Sequence, residues 1–556
     1  MPDAPIPDAP IPDARGINLH HADPDAAALH ALHLPPDLAA HVAPHFTRLG
    51  ALAGGHLDDL AATADRNPPT LGVRRRTGQD SSDIHKHPAY VEMERLAYSE
   101  FGLAALSHRP GVLGWPAPMP PAAKYALTYL FVQAEFGLCC PVSMTDSLTR
   151  TLKKFAAPDL IDRYFARLTS LDFDTLAQGA MFMTEQGAGS DVAATATRAE
   201  PSNEASWRLW GDKWFCSNPD ADLAMVLARS EADPGLAGIS LFLLPKIRPD
   251  GTPNAYRILR LKDKLGTRSM ASGEIRLEGA EAYLVGERGR GFKQMADMIN
   301  NSRLSNGMRA AGLMRRASTE ALHIARHRRA FGRPLIDLPL MRRQLVKLLM
   351  PTEQARAMMF LTADALGRAD AGDPIAAKRA RLLTPLIKFR ACRDARRVTG
   401  DAMEVRGGCG YIEEWPDARL LRDAHLGSIW EGTSNIVALD VLRAIKREQA
   451  LPPLRAHLRE MLAEADAPAG FAHHLDRAAA FADAAAGQGT QTLARQAASG
   501  LYHATTAIAL AWEAARARLP HRLALARLVL AHRLAPRDPL AAPDDAALID
   551  TVLAAA

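Results

Sequence analysis

The chain has 556 residues, of which 48% are hydrophobic and 23% are charged, so it can bury a large core and has the composition of an ordinary globular protein. Its formal net charge of +5 permits an anionic ligand but does not require one. No apolar run approaches the roughly 18 residues of a membrane-spanning helix, so we expect no membrane partner.

Five cysteines are scattered along the chain without the spacing of a zinc site or of a disulfide framework. They are Cys139, Cys140, Cys216, Cys392 and Cys409. This pattern predicts a protein of the reducing cytoplasm that holds no metal.

Residues 1–22 repeat a Pro-Asp-Ala-Pro-Ile unit, lack the regions of a signal peptide and predict a disordered tail. Residues 23–180 show helical periodicity and predict an N-terminal helical domain. Short alternating stretches over 181–285 predict a small antiparallel β domain. Helical periodicity returns over 286–447 as a second bundle, and an alanine-rich helical extension covers 448–556. The predicted fold class is α+β and mainly helical.

The sequence Ser-Ile-Trp-Glu-Gly-Thr-Ser-Asn places Glu431 between a large aromatic residue and a glycine, just before an apolar periodic segment. Thr433 or Ser434 can cap the predicted helix, because a short hydroxyl side chain accepts a hydrogen bond from a free backbone N–H group. A carboxylate held on such a loop suits a general base. Taken alone, the pattern is more typical of a surface glutamate in a helix-entry loop than of a general base.

Further motifs occur in a fixed order along the chain. They are MFMTEQGAGSDV from Met181, DKWFCSN from Asp212, RRAFGRPL from Arg328, EVRGGCGYIEEW from Glu404 and SIWEGTSN from Ser428. With them, the chain resembles the acyl-CoA dehydrogenase family. Within that family it is most similar to the AidB branch, an alkylation-response group with a C-terminal extension. The resemblance covers the chain from about Asp58 onward.

The resemblance implies a fold with an N-terminal helical domain, a small β-barrel, a helical FAD-binding bundle and an extra helical domain. It also implies that Glu431 takes the α proton of an acyl-CoA while a hydride passes from the β carbon to flavin N5. Electrons would then pass to an electron-transfer flavoprotein or to oxygen. Arg303 matches a family arginine near the mouth of the substrate site.

The resemblance assigns a set of residues to FAD. They are Met183, Thr184, Gly189, Ser190, Phe215, Ser217, Arg328, Phe331, Gly407, Gly408, Trp430, Gly432, Thr433 and Asn435. Phe215 departs from the tryptophan of many relatives, and Trp214 comes one residue earlier. Arg328, Phe331, Gly407 and Gly408 imply that a neighbouring subunit completes each flavin site in a homotetramer.

A second hypothesis is a DNA-associated flavoprotein of the alkylation response, like the AidB branch, with weak dehydrogenase activity. Between Ala511 and Arg537, basic residues outnumber the single acid, Glu513. Arg516, Arg518, Arg522 and Arg527 are the candidates for contacts with the phosphates of double-stranded DNA. Because charged stretches are more often solvated or intersubunit faces, both hypotheses stay open at this point.

Overall fold

A computed structural model describes residues 11–202 and 206–556, and the chain in it forms two compact units. The helical unit comprises Met1–Asp58, of which residues 1–10 lie outside the description, together with Pro120–Ala134 and Arg303–Ala556. The sheet unit comprises Asp59–Met119 and Glu135–Ser302.

The first part of the chain is helical and contains one hairpin. Its elements are α1 (Ala26–His33), α2 (Pro36–Gly54), α3 (His56–Arg66), β1 (Thr70–Arg74), β2 (Asp80–His85), α4 (Pro88–Arg95), α5 (Pro121–Phe131), α6 (Cys139–Phe155) and α7 (Pro158–Leu168). The β1–β2 hairpin differs from the helical prediction for this region. Its residues are mostly exposed and polar, so no apolar alternation marks the strands in the sequence.

The sheet unit also holds a seven-stranded sheet. Its strands are β3 (Gly179–Phe182), β4 (Arg198–Pro201), β5 (Trp207–Ser217), β6 (Leu223–Arg229), β7 (Ile239–Pro245), β8 (Tyr256–Leu261) and β9 (Ser272–Leu284). The order is β3-β6-β4-β5-β9-β7, β8 pairs with β9, and β6 also pairs with β7, which closes the sheet into a small barrel. The pairing is antiparallel except that β6 runs parallel to β3 and β4.

The burial pattern of each strand matches its place in the barrel. All residues of β7, and all of β6 but the last, are buried, because these continuous apolar runs are covered on both faces. In β5 buried and more exposed residues alternate, so one face packs into the barrel and the other is accessible. The accessible face of β5 carries two of the predicted flavin residues, Phe215 and Ser217.

The rest of the chain is helical. Its elements are α8 (Gly291–His327), the two-residue strands β10 (Arg329–Ala330) and β11 (Arg333–Pro334), α9 (Pro339–Asp370), α10 (Pro374–Arg406), α11 (Pro416–Gly427), α12 (Ser434–Glu448), α13 (Leu451–Glu464), α14 (Ala469–Gln488), α15 (Ala494–Arg516), α16 (Pro520–Val529) and α17 (Ala546–Ala555). The mainly helical α+β class with a small β-barrel is therefore confirmed. None of the helices described here combines the length and the apolar content of a membrane span.

Part of the segment that is predicted to be a disordered tail is packed against the helical unit. The first ten residues of that tail lie outside the described range, but Ala14 and Leu19 are buried. The Gly16 N–H donates to the Gly54 carbonyl oxygen at 2.7 Å. Residues 14–19 are therefore held against α2, and the prediction of disorder up to residue 22 is wrong for this segment.

Arg522, on α16, is the centre of a buried ionic network in the helical unit. Its side chain is 0% exposed. Its guanidinium donates to Asp25 at 2.8 Å, to Glu353 at 2.7 Å and to Glu513 at 2.9 Å. The prediction that Arg522 contacts DNA is wrong, because its donors are occupied and no solvent reaches it.

Two more arginines, Arg356 and Arg315, share these carboxylates and also pair with Asp23. Burial alone would raise the pKa of Asp25, but the hydrogen bond from His521 and the positive charges of Arg522 and Arg356 lower it overall. The carboxylate therefore stays ionised, and the network joins the segment before α1 to helices α9, α15 and α16.

Replacing Arg522 with methionine should destabilise the protein by about 3 kcal/mol or more, because buried carboxylates would lose their cation. Arg527→Met is the matched control, since Arg527 lies on the same helix but is exposed, and it should change stability little. Denaturant unfolding of both variants checks the prediction. Equal stability of the two would contradict the structural role of the network.

Candidate functional site

In the sheet unit, Glu185 organises the loop that follows β3. Its carboxylate accepts from the Ala196 N–H at 2.7 Å and from the Thr197 hydroxyl at 2.6 Å. The buried Lys213 ammonium, on β5, donates to the same carboxylate at 2.7 Å. Burial lowers the pKa of Lys213, and Glu185 opposes that shift. The buried pair fixes the loop against the barrel.

The predicted flavin residues Met183 and Thr184 lie beside β5. The Trp214 N–H donates to the Thr184 carbonyl oxygen at 2.8 Å, and Lys213 Nζ lies 3.4 Å from the Met183 carbonyl oxygen. Both residues are half-buried. The loop backbone and the end of β5 therefore form one continuous surface.

Phe215 and Ser217 lie on the accessible side of β5. Phe215 is 54% exposed, and Ser217 is half-buried. Lys262 Nζ lies 3.4 Å from the centroid of the Trp214 ring and 4.7 Å from that of Phe215, which are cation–π distances. Lys262 contacts both rings, and more than half of the Phe215 side chain stays exposed, so a flat ligand can reach it.

The tip of the loop after β3 leaves its backbone open. A Cβ atom built on Gly187 or Gly189 would have no heavy atom within 4 Å. Gly189 and Ser190 are both exposed. An anionic group can therefore reach these backbone groups and the Ser190 hydroxyl.

In the helical unit, the loop between α11 and α12 presents Glu431. The backbone of Glu431 is left-handed, with φ of 56°. Arg303 Nε donates to the Glu431 carbonyl oxygen at 3.0 Å, and Arg303 Nη1 donates to Asp440 on α12 at 2.8 Å. Arg303, predicted near the substrate, thus holds the backbone of the predicted base.

The neighbours of Glu431 in the tripeptide also have defined roles. Gly432 has φ of 101°, and an added Cβ would lie 3.3 Å from Ile436 and Val437, so the position requires glycine. The guanidinium of Arg309 lies 5.6 Å from the centroid of the Trp430 ring. The loop is therefore fixed on both sides of the carboxylate.

Thr433 occupies the capping position of α12, but the expected cap is not formed. Its side chain makes no capping hydrogen bond to any described residue, and Ser434 is the first residue of the helix. Thr433 and Asn435 are both exposed. Their assignment to FAD stays a prediction.

Arg328 and the glycines of the GGCG motif come together. Arg328 Nη1 donates to the Arg406 carbonyl oxygen at 2.9 Å and lies 3.5 Å from the position of a Cβ on Gly407. Gly408 would meet nothing within 4 Å if it carried a Cβ. Phe331, in the turn between β10 and β11, is 91% exposed. These exposed groups form a surface that can receive an anionic ligand.

Comparison with known proteins identifies the family. Three family models match: the AidB N-terminal domain of adaptive response proteins over residues 11–175, the acyl-CoA dehydrogenase middle domain over 180–280, and the acyl-CoA dehydrogenase C-terminal domain over 289–446. The chain belongs to the acyl-CoA dehydrogenase family.

Individual relatives agree with this assignment. AidB from Escherichia coli strain K12 is 36% identical over 402 residues, covering 70% of this chain and 71% of the relative. The apo form of Bd2924 superposes with a TM-score of 0.82 at 31% identity, covering 90% of this chain and 99% of that one. ACDH-11 of Caenorhabditis elegans, solved with C11-CoA, has a TM-score of 0.83 at 25% identity and covers 95% and 93% of the two chains.

Family membership makes the chain an FAD-dependent oxidoreductase, and the residues present fit that cofactor. The sheet unit offers an accessible aromatic ring, Phe215, and exposed backbone at Gly189 with no other heavy atom close to it. The helical unit offers the exposed Arg328 guanidinium beside Gly407. Each surface alone suits a flat ring or a pyrophosphate.

Several important residues did not stand out in the sequence. Asp440 holds Arg303, and Glu185 with Lys213 holds the loop that is predicted to contact the flavin. A charged residue inside an apolar periodic segment, such as Asp440 in Val-Ala-Leu-Asp-Val-Leu, is the signal that could have indicated a buried ion pair.

We expect Lys213→Met to reduce FAD content and to destabilise the protein by about 3 kcal/mol, because the buried Glu185 carboxylate would lose its cation. Arg276→Met is the matched control. Arg276 forms a two-pronged ion pair with Asp212 on the exposed side of the same strands, and solvent screens that pair. Flavin absorbance per subunit and denaturant unfolding measure both effects. A Lys213→Met protein with full FAD content would show that the loop is positioned by other contacts.

Proposed function

We propose that the protein oxidises an acyl-CoA, with Glu431 as the base that takes the α proton. The observation that carries this proposal is the fixed geometry of the Glu431 loop, held through its backbone by Arg303 and Asp440. When the backbone of a base is held in place, its carboxylate keeps its position and direction while it gains or loses a proton.

In the proposed reaction, different residues of the chain have different roles. The thioester acidifies the α carbon, and Glu431 accepts the proton from it. FAD, when bound, supplies the acceptor for the hydride that leaves the β carbon. Phe215 and Ser217 line one face of the flavin surface in the sheet unit, and Arg328 binds phosphate in the helical unit.

The acyl substrate and the electron acceptor are part of the proposal. ACDH-11, which superposes closely, was solved with C11-CoA, and this supports an acyl-CoA ligand. An electron-transfer flavoprotein or oxygen would reoxidise the flavin. We place the reaction in the cytoplasm, since all five cysteines are free thiols.

We also propose a homotetramer in which a neighbouring subunit supplies Arg328, Phe331, Gly407 and Gly408 to each FAD. Exposed large apolar side chains of the helical unit support association, because single chains seldom leave many such groups in water. They include Phe331, Leu340, Tyr411, Ile412 and Ile429.

Glu431→Gln keeps the shape of the side chain and removes the proton acceptor. It should bind FAD normally and slow the anaerobic bleaching of the flavin by acyl-CoA at least about a hundredfold. Glu414→Gln makes the same charge change at an exposed site and should bleach like the wild type. Short, branched and long acyl-CoAs are titrated in turn, and bleaching that is unchanged in Glu431→Gln would assign the base to another residue.

The second candidate function is contact with double-stranded DNA through the C-terminal extension. Arg516, Arg518 and Arg527 are exposed, and this favours phosphate contacts at these three positions. Arg516 Nη1 lies 3.9 Å from Glu464 Oε2. This ion pair is exposed and weak, so the guanidinium stays accessible. The matched family model for AidB N-terminal domains is consistent with this alternative but concerns another part of the chain.

If these arginines bind phosphates, changing all three to glutamine should weaken DNA binding. It should also reduce the slope of log affinity against log salt concentration by roughly one for each arginine replaced. The triple change Arg455, Arg459 and Arg477 to glutamine removes the same charge from exposed positions on α13 and α14 and is the control. Fluorescence anisotropy with duplex DNA at several salt concentrations measures the slope. Equal slopes in the two triple variants would end the case for this surface.

A further inference from the structure

Lys388, in the middle of α10, contacts the loop that carries Glu431. Its side chain is buried, with 1% of the residue exposed. Its ammonium donates to the Gly427 carbonyl oxygen at 2.7 Å and to the Gly432 carbonyl oxygen at 3.0 Å. These two carbonyls bracket the four residues from Ser428 to Glu431, so one amine joins both ends of the loop.

Among the described residues, neither carbonyl accepts a hydrogen bond within a helix. Gly427 is the last residue of α11, where carbonyl groups have no partner within the helix. Gly432 lies just before α12, outside the helix, and its carbonyl accepts from the buried Lys388. An unpaired buried carbonyl is strongly unfavourable, so the amine defines where the two helix ends can lie.

Arg303 supplies a second tether from α8, through the carbonyl oxygen of Glu431 itself. The loop is thus held at its two ends by Lys388 and at the predicted base by Arg303. Glu431 has a left-handed backbone, a conformation that a residue with a side chain keeps only where its surroundings enforce it. Removing one tether should let this residue relax toward more favourable backbone angles.

We propose that Lys388 is a positioning residue for the general base Glu431, which it holds by clamping the two ends of the Gly427–Gly432 loop. This inference rests on the proposed function. It deepens that function by adding a residue that touches neither substrate nor flavin and acts through the backbone of the loop.

The charge of Lys388 has a separate effect. Burial lowers the pKa of Lys388 to about 8; Cys392 and Glu431 raise it, and Arg303 and Arg309 lower it. Below this pH the ammonium stabilises a nearby carboxylate by its charge. Above it the neutral amine keeps two N–H donors, enough for both carbonyls, so the clamp persists while the charge is lost.

Lys388→Met fills the same space without donors or charge. In the FAD-loaded protein, the rate of flavin reduction at saturating acyl-CoA should fall at least about tenfold, because small misplacements of reacting groups reduce rates strongly. The concentration for half-maximal rate should change little. The acid limb of the pH profile should move to higher pH, since the carboxylate that must be ionised has lost a positive neighbour.

Arg390→Met is the matched control. Arg390 lies on the same helix and forms a mostly buried ion pair with Asp394, so its loss destabilises α10 without touching the loop. It should reduce the flavin at the wild-type rate with the wild-type pH profile. A general loss of stability would affect both variants alike, and equal losses of rate in the two would overturn the proposal.

Hydrogen exchange of the backbone separates this inference from the proposed function. Without any substrate, peptides spanning Gly427–Gly432 should exchange faster in Lys388→Met than in the wild type and in Arg390→Met. Should the methionine variant not fold, Lys388→Gln is measured by the same criteria. Unchanged exchange and an unchanged reduction rate refute the clamp. If the wild type itself is not bleached by any acyl-CoA, the proposed function fails and the exchange result alone decides the clamp.

Discussion

The helical unit is organised around a cation that solvent does not reach. Arg522 is fully buried, and three carboxylates from separate parts of the chain, Asp25, Glu353 and Glu513, surround its guanidinium. Leaving one of these buried charges without its partner would cost about 3–5 kcal/mol. The segment before α1 and helices α9, α15 and α16 must therefore take their places together. The C-terminal extension is for this reason an integral part of the unit.

The loop after β3 and the loop that carries Glu431, both predicted to lie at the flavin site, are built in the same way. In each, a buried carboxylate holds a basic side chain, and that side chain fixes backbone carbonyls of the functional loop. Glu185 holds Lys213, which contacts the Met183 carbonyl, and Asp440 holds Arg303, which contacts the Glu431 carbonyl. Fixing loops through their backbone leaves the functional side chains free to bind and to exchange protons.

The sequence predicts the elements that depend on neighbouring residues. It does not predict contacts between residues that are far apart in the chain. The barrel strands were readable from apolar runs such as Ile239–Pro245, and the motifs around Glu431 and Arg328 placed the functional loops. In the sequence Arg522 has the pattern of a surface charge, because two of its three partners, Asp25 and Glu353, lie 497 and 169 residues away in the chain. Lys388 was missed for the same reason, since nothing near it in the sequence shows that it bonds two carbonyls of another segment.

The tripeptide Trp430-Glu431-Gly432 shows how these constraints meet in one place. Gly432 is favoured because its φ of 101° strains a residue with a side chain, and a Cβ there would lie only 3.3 Å from Ile436. Trp430 lies under the guanidinium of Arg309, which fixes the chain just before the carboxylate. Glu431 has a left-handed backbone conformation, which is unfavourable for a residue with a side chain. The surrounding contacts stabilise it. The neighbours and tethers of Glu431 therefore set the direction of its carboxylate, and this supports the proposal that it acts as the base.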